Sequence, residues 1–170
     1  ADLEYPNGGG LTTGWSPIVG PSVSIPAWSA NQTIPFPFSF NGVSETSYKV
    51  SSTGVLTFST AAPSVPSATK AALPSASIPD KSVCIWGVQA IGTNDYVLTK
   101  TFGTAPNRQH WVFFSSNALG GTGWSYWSIV LEETSNNIYI VDQRHSGTTG
   151  GVSMGIQING RIFDTMIAAS

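Results

Sequence analysis

The stretch I-P-F-P-F-S-F at residues 34–40 decides the fold. Its three phenylalanines alternate with two prolines and a serine, which is the period of a strand that buries one face. Because proline cannot donate a hydrogen bond to a neighbouring strand, this segment belongs at a sheet edge or at a bulged entry to a sheet. The stretch therefore predicts an antiparallel sheet with one apolar face.

The runs that follow carry the same signal. Residues 48–51 and 55–58 are joined through Ser52-Thr53-Gly54, which predicts a hairpin with glycine at the tight position. Asn159-Gly160, between two apolar runs, is the strongest hairpin signal in the chain. In all, strands are predicted at residues 22–28, 33–40, 47–51, 55–59, 82–90, 96–102, 109–115, 125–133, 137–142, 151–158 and 161–168.

Many short strands with Gly/Asn turns and almost no helix favour an all-β, antiparallel β-sandwich. We expect it to be jelly-roll-like, with about nine to eleven strands. We see no repeat or linker that would divide the chain, so residues 1–170 form one predicted domain. Residues 1–20, rich in Gly and Pro, are expected to be an irregular lead-in. Residues 61–79, rich in Ala, Ser and Pro, are expected to be a long surface crossover.

The composition bears on partners and location. Charged residues make up 9% of the chain, and 40 serines and threonines supply polarity instead. Such a hydroxyl-rich coat is common in extracellular β-proteins, so we expect a secreted or cell-surface location. The net charge is −2, and the seven Lys and Arg residues are scattered. Nucleic acid needs a clustered basic stripe, so none is expected as a partner. The chain also has no run of 18 apolar residues, so no membrane insertion is expected.

The single cysteine, Cys84, lies in an apolar run and is interpreted as a buried structural thiol. No internal disulfide can form. A secreted protein without a disulfide suggests a bacterial exterior, where a large core must supply stability.

Catalytic patterns are weak. G-V-S-M-G at residues 151–155 matches the nucleophile-elbow pattern, but the segment alternates like a strand and no histidine follows it. Glycine at a close strand approach is the preferred explanation. His110 and His145 share no zinc spacing, and His110 is expected to point into the core or its rim. The side chains of Glu132 and Glu133 would point to opposite faces of a strand, and Glu132 or Glu133 is expected to end that strand in solvent. We therefore expect no enzyme and no cofactor, and a hydrolase is a remote alternative.

Calcium is an open alternative. Asp2 with Glu4, and Asn94 with Asp95, could supply oxygen ligands, but no dense D-x-D-x-D run is present.

Aromatic residues give the sharper candidate site. If His110, Val112 and Phe114 face the core, their neighbours face outward. The same alternation in the next two predicted strands indicates further outward-facing aromatic residues, and Trp124 lies in the loop before the first of those strands. Together they form a predicted ligand-binding face: Trp111, Phe113, Trp124, Tyr126 and Tyr139. Contiguous exposed aromatics usually mark a contact site, and this face would suit stacking of sugar rings. The alternative is that the crossover, the N-terminal segment or an adjoining domain covers it.

Six fragments in order carry a resemblance: F-P-F-S-F-N-G, V-S-S-T-G-V-L-T-F, A-L-P-S-A-S-I-P, G-T-A-P-N-R, S-I-V-L-E-E-T-S-N-N-I-Y-I and V-S-M-G-I-Q. Over residues 34–158 the chain resembles a β-sandwich module of large bacterial surface and secreted proteins, frequent in Bacteroidetes-type exported proteins and distantly similar to nidogen-type extracellular domains. Such modules often carry acidic residues directly after the tryptophan that is Trp86 here, but this chain has Gly87-Val88-Gln89.

The resemblance implies a non-catalytic extracellular module that supports adhesion or domain spacing. Its expected partners are neighbouring domains of the same polypeptide, and glycans or a surface protein are further candidates. The alternative function is a carbohydrate-binding module that uses the aromatic face.

Overall fold

The structure, a computed structural model, describes residues 13–119, 123–147 and 151–166. These ranges contain fourteen β-strands and no α-helix. There is accordingly no helix in them that could span a membrane. The prediction of an all-β, antiparallel sandwich is confirmed.

The first sheet has five antiparallel strands in the order β1-β9-β10-β11-β12. Their bounds are Ser16–Val19 (β1), Tyr96–Phe102 (β9), Gln109–Leu119 (β10), Gly123–Glu132 (β11) and Ile138–His145 (β12). Strand β10 has a register shift after Phe114, where Ser116 takes a positive φ of 62°. The irregularity lets the far end of β10 leave β9 and pair elsewhere.

The second sheet has six antiparallel strands in the order β2-β5-β6-β7-β13-β14. Their bounds are Gln32–Thr33 (β2), Ser47–Val50 (β5), Val55–Thr57 (β6), Ser82–Trp86 (β7), Ser153–Gln157 (β13) and Phe163–Met166 (β14). The short β8, Val88–Gln89, pairs with both β7 and the end of β10, and so joins the two sheets. Strands β3 (Ser39–Phe40) and β4 (Val43–Ser44) form a separate small hairpin.

The main core lies between the sheets. Phe114 of β10 and Trp127 of β11 pack there with Leu56 and Ile85 from the second sheet. The three alternating phenylalanines of the opening stretch are also buried in this core. The strict alternation along each strand is what places these side chains on one face.

The observed strands are more numerous than predicted, and those of the second sheet are shorter. The predicted strand at 33–40 keeps only Thr33 in β2 and Ser39–Phe40 in β3, because Pro35 and Pro37 cannot donate to a ladder. Its phenylalanines are buried without continuous strand pairing. The predicted strand at 82–90 breaks at Gly87, which has a φ of +124°. The predicted strand at 22–28 is irregular apart from one bridge at Trp28.

The crossover at residues 61–79 covers the outer face of the second sheet. Its Leu73 and Ile78 form a buried cluster with Cys84 and Trp86 of β7. The indole Nε1 of Trp86 donates to the Ser67 carbonyl at 2.7 Å. Strand β7 therefore buries both of its faces, since its other side chains lie in the main core. Of the expected lead-in, residues 1–12 lie outside the described residues, and the described part contains β1.

Gly54 fixes the hairpin between β5 and β6. The Ser51 amide donates to the Val55 carbonyl at 2.8 Å, and Gly54 has a φ of +94°. A Cβ at this position would lie 1.9 Å from the carbonyl oxygen of Ile85. Only glycine therefore fits, both for its backbone angle and for the close approach of β7.

We predict that Gly54→Ala lowers the free energy of unfolding by about 3 kcal/mol or more, because strain and a backbone clash add. Gly160→Ala is the control, since a Cβ there would meet open space. It should change stability by less than about 0.5 kcal/mol. Urea denaturation of both variants measures this, and equal effects would refute the steric explanation.

Candidate functional site

The outer face of the first sheet differs from the open aromatic face predicted from sequence. Trp111, Phe113 and Tyr126 are each 5% exposed or less. They form a second buried cluster, together with Trp15, Leu98 and Val130. The expected exposure of these three rings is therefore wrong.

Trp15 gives the physical reason. This residue directly precedes β1, and its ring lies 5.6 Å from the Phe113 ring and 5.8 Å from the Phe102 ring. Such tilted and edge-on contacts are favourable beyond the area that they bury. Part of the N-terminal segment thus packs on this face. Covering of the face by the N-terminal segment was one of the alternatives to an exposed ligand-binding face.

Two of the five predicted site residues stay accessible. Trp124 is 42% exposed and Tyr139 is 40% exposed. The Arg144 guanidinium lies 5.3 Å from the Trp124 ring and 4.7 Å from the Tyr126 ring. Ligand binding at Trp124 and Tyr139 stays a prediction.

A cleft of about 470 Å³, in which most of the lining residues are polar, opens at one end of the first sheet. The β9–β10 loop and the β11–β12 turn meet there. We name it the strand-end cleft, and its lining residues are Phe102, Gly103, Asn107, Gln109, Glu132, Glu133, Thr134 and Ser135. This size lies within the range of small-molecule sites.

Glu132 is the best-anchored side chain of the cleft. Its Oε1 accepts hydrogen bonds from the Ser135 hydroxyl (2.6 Å) and the Tyr139 hydroxyl (3.2 Å). Its Oε2 accepts from the Gln109 amide at 2.8 Å. The hydrogen bonds from Ser135, Gln109 and Tyr139 lower the pKa of Glu132. The carboxylate is thus held ionised by neutral donors.

Glu133 has a different role from its neighbour. The Nε atom of Arg108 donates to Oε1 of Glu133 at 2.8 Å, and Nη2 of Arg108 donates to Oε2 at 2.7 Å. This bidentate hydrogen bonding from Arg108 lowers the pKa of Glu133. The Glu133 side chain is only 7% exposed, and the residue that ends the strand is the half-buried Glu132. The pair ties the β9–β10 loop to the end of β11.

His110 connects the two sheets. Its Nε2 lies 2.6 Å from the hydroxyl of Tyr48 on β5, and its Nδ1 lies 2.9 Å from Thr101 Oγ1 on β9. The tautomer with its proton on Nδ1 satisfies both contacts, because Nε2 then accepts from Tyr48. Burial lowers the pKa of His110 to about 4 and raises that of Tyr48. The expected core placement of His110 is confirmed.

The other reactive groups are also engaged in the fold. Ser153 lies on β13 and donates to the Ala71 carbonyl at 2.7 Å. A Cβ at Gly155 would lie 2.0 Å from the Asp164 carbonyl, which confirms close strand approach as the reason for the glycine pattern. Cys84 is fully buried, and burial raises the pKa of its thiol to about 12. The Nδ1 atom of His145 lies 2.8 Å from Oδ2 of Asp142.

The described ranges contain no group of three or more His, Cys, Asp or Glu side chains that could hold a metal ion such as calcium. Asp95 accepts a hydrogen bond from the Gly92 amide at 2.7 Å, and its side chain closes its own turn. Asp2 and Glu4 lie outside those ranges. Calcium binding stays a prediction.

Sequence reasoning missed the strand-end cleft, although a signal was present. Gln109 and Glu132 are directly opposite each other in the β10–β11 pair. Each stands beside a polar run, N-R at 107–108 and E-T-S at 133–135. Counting antiparallel partners back from the β10–β11 connection would have brought these runs together.

Fold and site together define a β-sandwich module whose outer faces carry covering layers and whose polar groups collect at one strand end. A model of the family described as NIDO related matches residues 21–169. The chain belongs to this family, so the nidogen-like part of the resemblance is confirmed. Domains of this type are non-enzymatic and typically extracellular. No curated protein and no solved structure matches the chain.

The pKa of His110 makes stability depend on pH. A histidine in the unfolded chain takes up a proton near pH 6.5, whereas folded His110 does so only near pH 4. Between these values the unfolded state binds more protons, so stability falls as the pH is lowered. We predict a loss of about 2 kcal/mol between pH 7.5 and pH 5.

Urea unfolding at the two pH values measures this loss. His110→Gln should remove most of the pH dependence while it lowers stability at pH 7.5. His145→Gln is the control and should keep the dependence that arises from His110. A full pH dependence in His110→Gln would contradict the assignment.

Proposed function

We propose that this chain is a non-catalytic module of a larger surface or secreted protein, where it supports adhesion or sets the spacing between neighbouring domains. Membership of the NIDO-related family supports the extracellular and non-catalytic parts. A bacterial source is part of the same proposal and rests on the absence of a disulfide in a chain of this composition.

One observation carries the proposal: the side chains best suited to catalysis already have structural partners. Cys84 is buried, and Ser153 donates to a backbone carbonyl. His110 contacts Tyr48 and Thr101, and Glu133 is paired with Arg108. A nucleophile needs a base within hydrogen-bond reach. Cys84, Ser153, His110 and Glu133 form no such nucleophile–base pair with one another. The geometry favours holding a shape over turning over a substrate.

Adhesion and spacing both benefit from the way the sheets are covered. The crossover packs on one outer face, and the cluster around Trp15 fills the other. A sandwich with buried outer faces is rigid, which suits a spacer between domains. Adhesion additionally needs an accessible contact site, and the strand-end cleft supplies one.

Carbohydrate binding is the second candidate, and a specific observation favours it. Trp124 and Tyr139 remain exposed, and the Tyr139 hydroxyl reaches Glu132 in the strand-end cleft. An exposed ring beside hydrogen-bonding groups can stack on the apolar face of a sugar and bind its hydroxyls.

We predict that the chain binds at least one polysaccharide or glycan and releases no product from it. A glycan array and polysaccharide pull-down measure binding, and analysis of the same mixtures for reducing ends measures turnover. Each is run with calcium and with a chelator, and loss of binding only on chelation would place calcium in the site.

The outcomes separate the alternatives. Product release would contradict the non-catalytic assignment. Failure of a well-folded sample to bind any glycan would remove the carbohydrate candidate and leave protein adhesion or spacing.

A further inference from the structure

We propose that the strand-end cleft binds a neutral saccharide, with Glu132 and Asn107 holding a pair of adjacent sugar hydroxyls. The inference rests on the proposed adhesion function and deepens its carbohydrate alternative. It places the ligand in a cleft that the aromatic pattern of the sequence did not indicate.

Open hydrogen-bonding capacity in the cleft supports this ligand. Each carboxylate oxygen can accept about two hydrogen bonds. Oε1 of Glu132 already accepts two, whereas Oε2 accepts one, from Gln109. The side-chain amide of Asn107 makes no hydrogen bond to the described residues. One acceptor and one amide with both donor and acceptor atoms are therefore available to a ligand.

Adjacent hydroxyls of a sugar match this pair. One hydroxyl can donate to Glu132 Oε2 while its neighbour accepts from Asn107 Nδ2. A carboxylate acceptor strengthens the bond, because hydrogen bonds to charged groups are stronger than neutral ones. Glu132 supplies that charge at neutral pH, since its neutral donors favour the ionised form.

The Glu132 carboxylate is held in place before a ligand arrives. Gln109 donates to Glu132, and its own Oε1 accepts from the Trp111 indole at 3.2 Å. Asn137 donates to the Tyr139 hydroxyl at 3.1 Å, which fixes the second donor to Glu132. Preorganised side chains lose little freedom on binding, so more of the contact energy appears as affinity.

Phe102 supplies the apolar part of the cleft. Its ring packs edge-on against Trp111 at 6.2 Å and against Trp15 at 5.8 Å. Gly103 follows without a side chain, and a Cβ there would collide with the Asn107 carbonyl at 2.6 Å. The tight loop thus brings the Asn107 backbone close to Gly103, the residue that follows Phe102.

The same geometry disfavours acidic sugars and guanidinium groups. An acidic sugar would be repelled by Glu132, which forms no ion pair with a described residue. A guanidinium would need two free carboxylate oxygens for bidentate binding, and Oε1 already has two donors. A neutral saccharide satisfies the remaining positions without either conflict.

The test is a titration of the whole chain with neutral gluco-, manno- and galacto-configured oligosaccharides, followed by calorimetry and by NMR of side-chain amides. We expect the Asn107 amide signal to shift on binding. Glu132→Gln and Asn107→Ala should each weaken the affinity at least about tenfold. Asp164→Asn is the matched control, because it removes an exposed carboxylate on β14 of the second sheet. It should bind like the unaltered chain.

Different failures have different meanings. If an oligosaccharide binds but both cleft variants retain affinity while Trp124→Ala loses it, the cleft assignment is overturned and glycan adhesion stands. If lysine-rich peptides bind in the cleft and oligosaccharides do not, the ligand class is overturned. If a folded sample binds neither, the cleft inference fails, while protein adhesion and spacing remain as functions. Circular dichroism of each variant confirms that loss of binding is not loss of fold.

Discussion

The need to bury an apolar outer face on each sheet shapes the whole molecule. In β7, Val83 and Ile85 point into the main core, while Cys84 and Trp86 point the other way and are equally buried. A sheet with two apolar faces cannot stand at the surface, because exposed apolar patches of that size are unfavourable in water. The crossover meets this need on the second sheet, and the cluster that includes Trp15 meets it on the first.

Because the outer faces of the sheets are covered, the accessible polar side chains lie at the strand ends. With Trp111 and Tyr126 buried, the broad aromatic surface is structural. The polar groups of the β9–β10 loop and the β11–β12 turn remain open to solvent in the strand-end cleft. Loops at the ends of a rigid sandwich carry binding sites for the same reason in many β-proteins, since their backbone is free of the ladder while the scaffold holds it in place.

Polar residues inside the sandwich serve cohesion between layers. The hydrogen bond between Tyr48 and His110 joins the two sheets in a buried setting where an unpaired group would be costly. Arg108 and Glu133 connect the loop to the strand end, and the Arg108 guanidinium also lies 5.6 Å from the Phe36 ring. The sparse charged residues of this chain are thus used to fix loops and layers.

The sequence by itself determined the fold class, most of the long strands and the structural role of Cys84, because alternation of side chains is a local property. Tertiary structure decided which outward residues are exposed. The alternation of side chains along the strand indicates that Trp111 points away from the main core. Its burial follows only from the packing of the cluster that includes Trp15. The cleft around Glu132 also depended on a non-local contact, since its donor Gln109 lies 23 residues away in the chain and strand register places the two residues opposite each other.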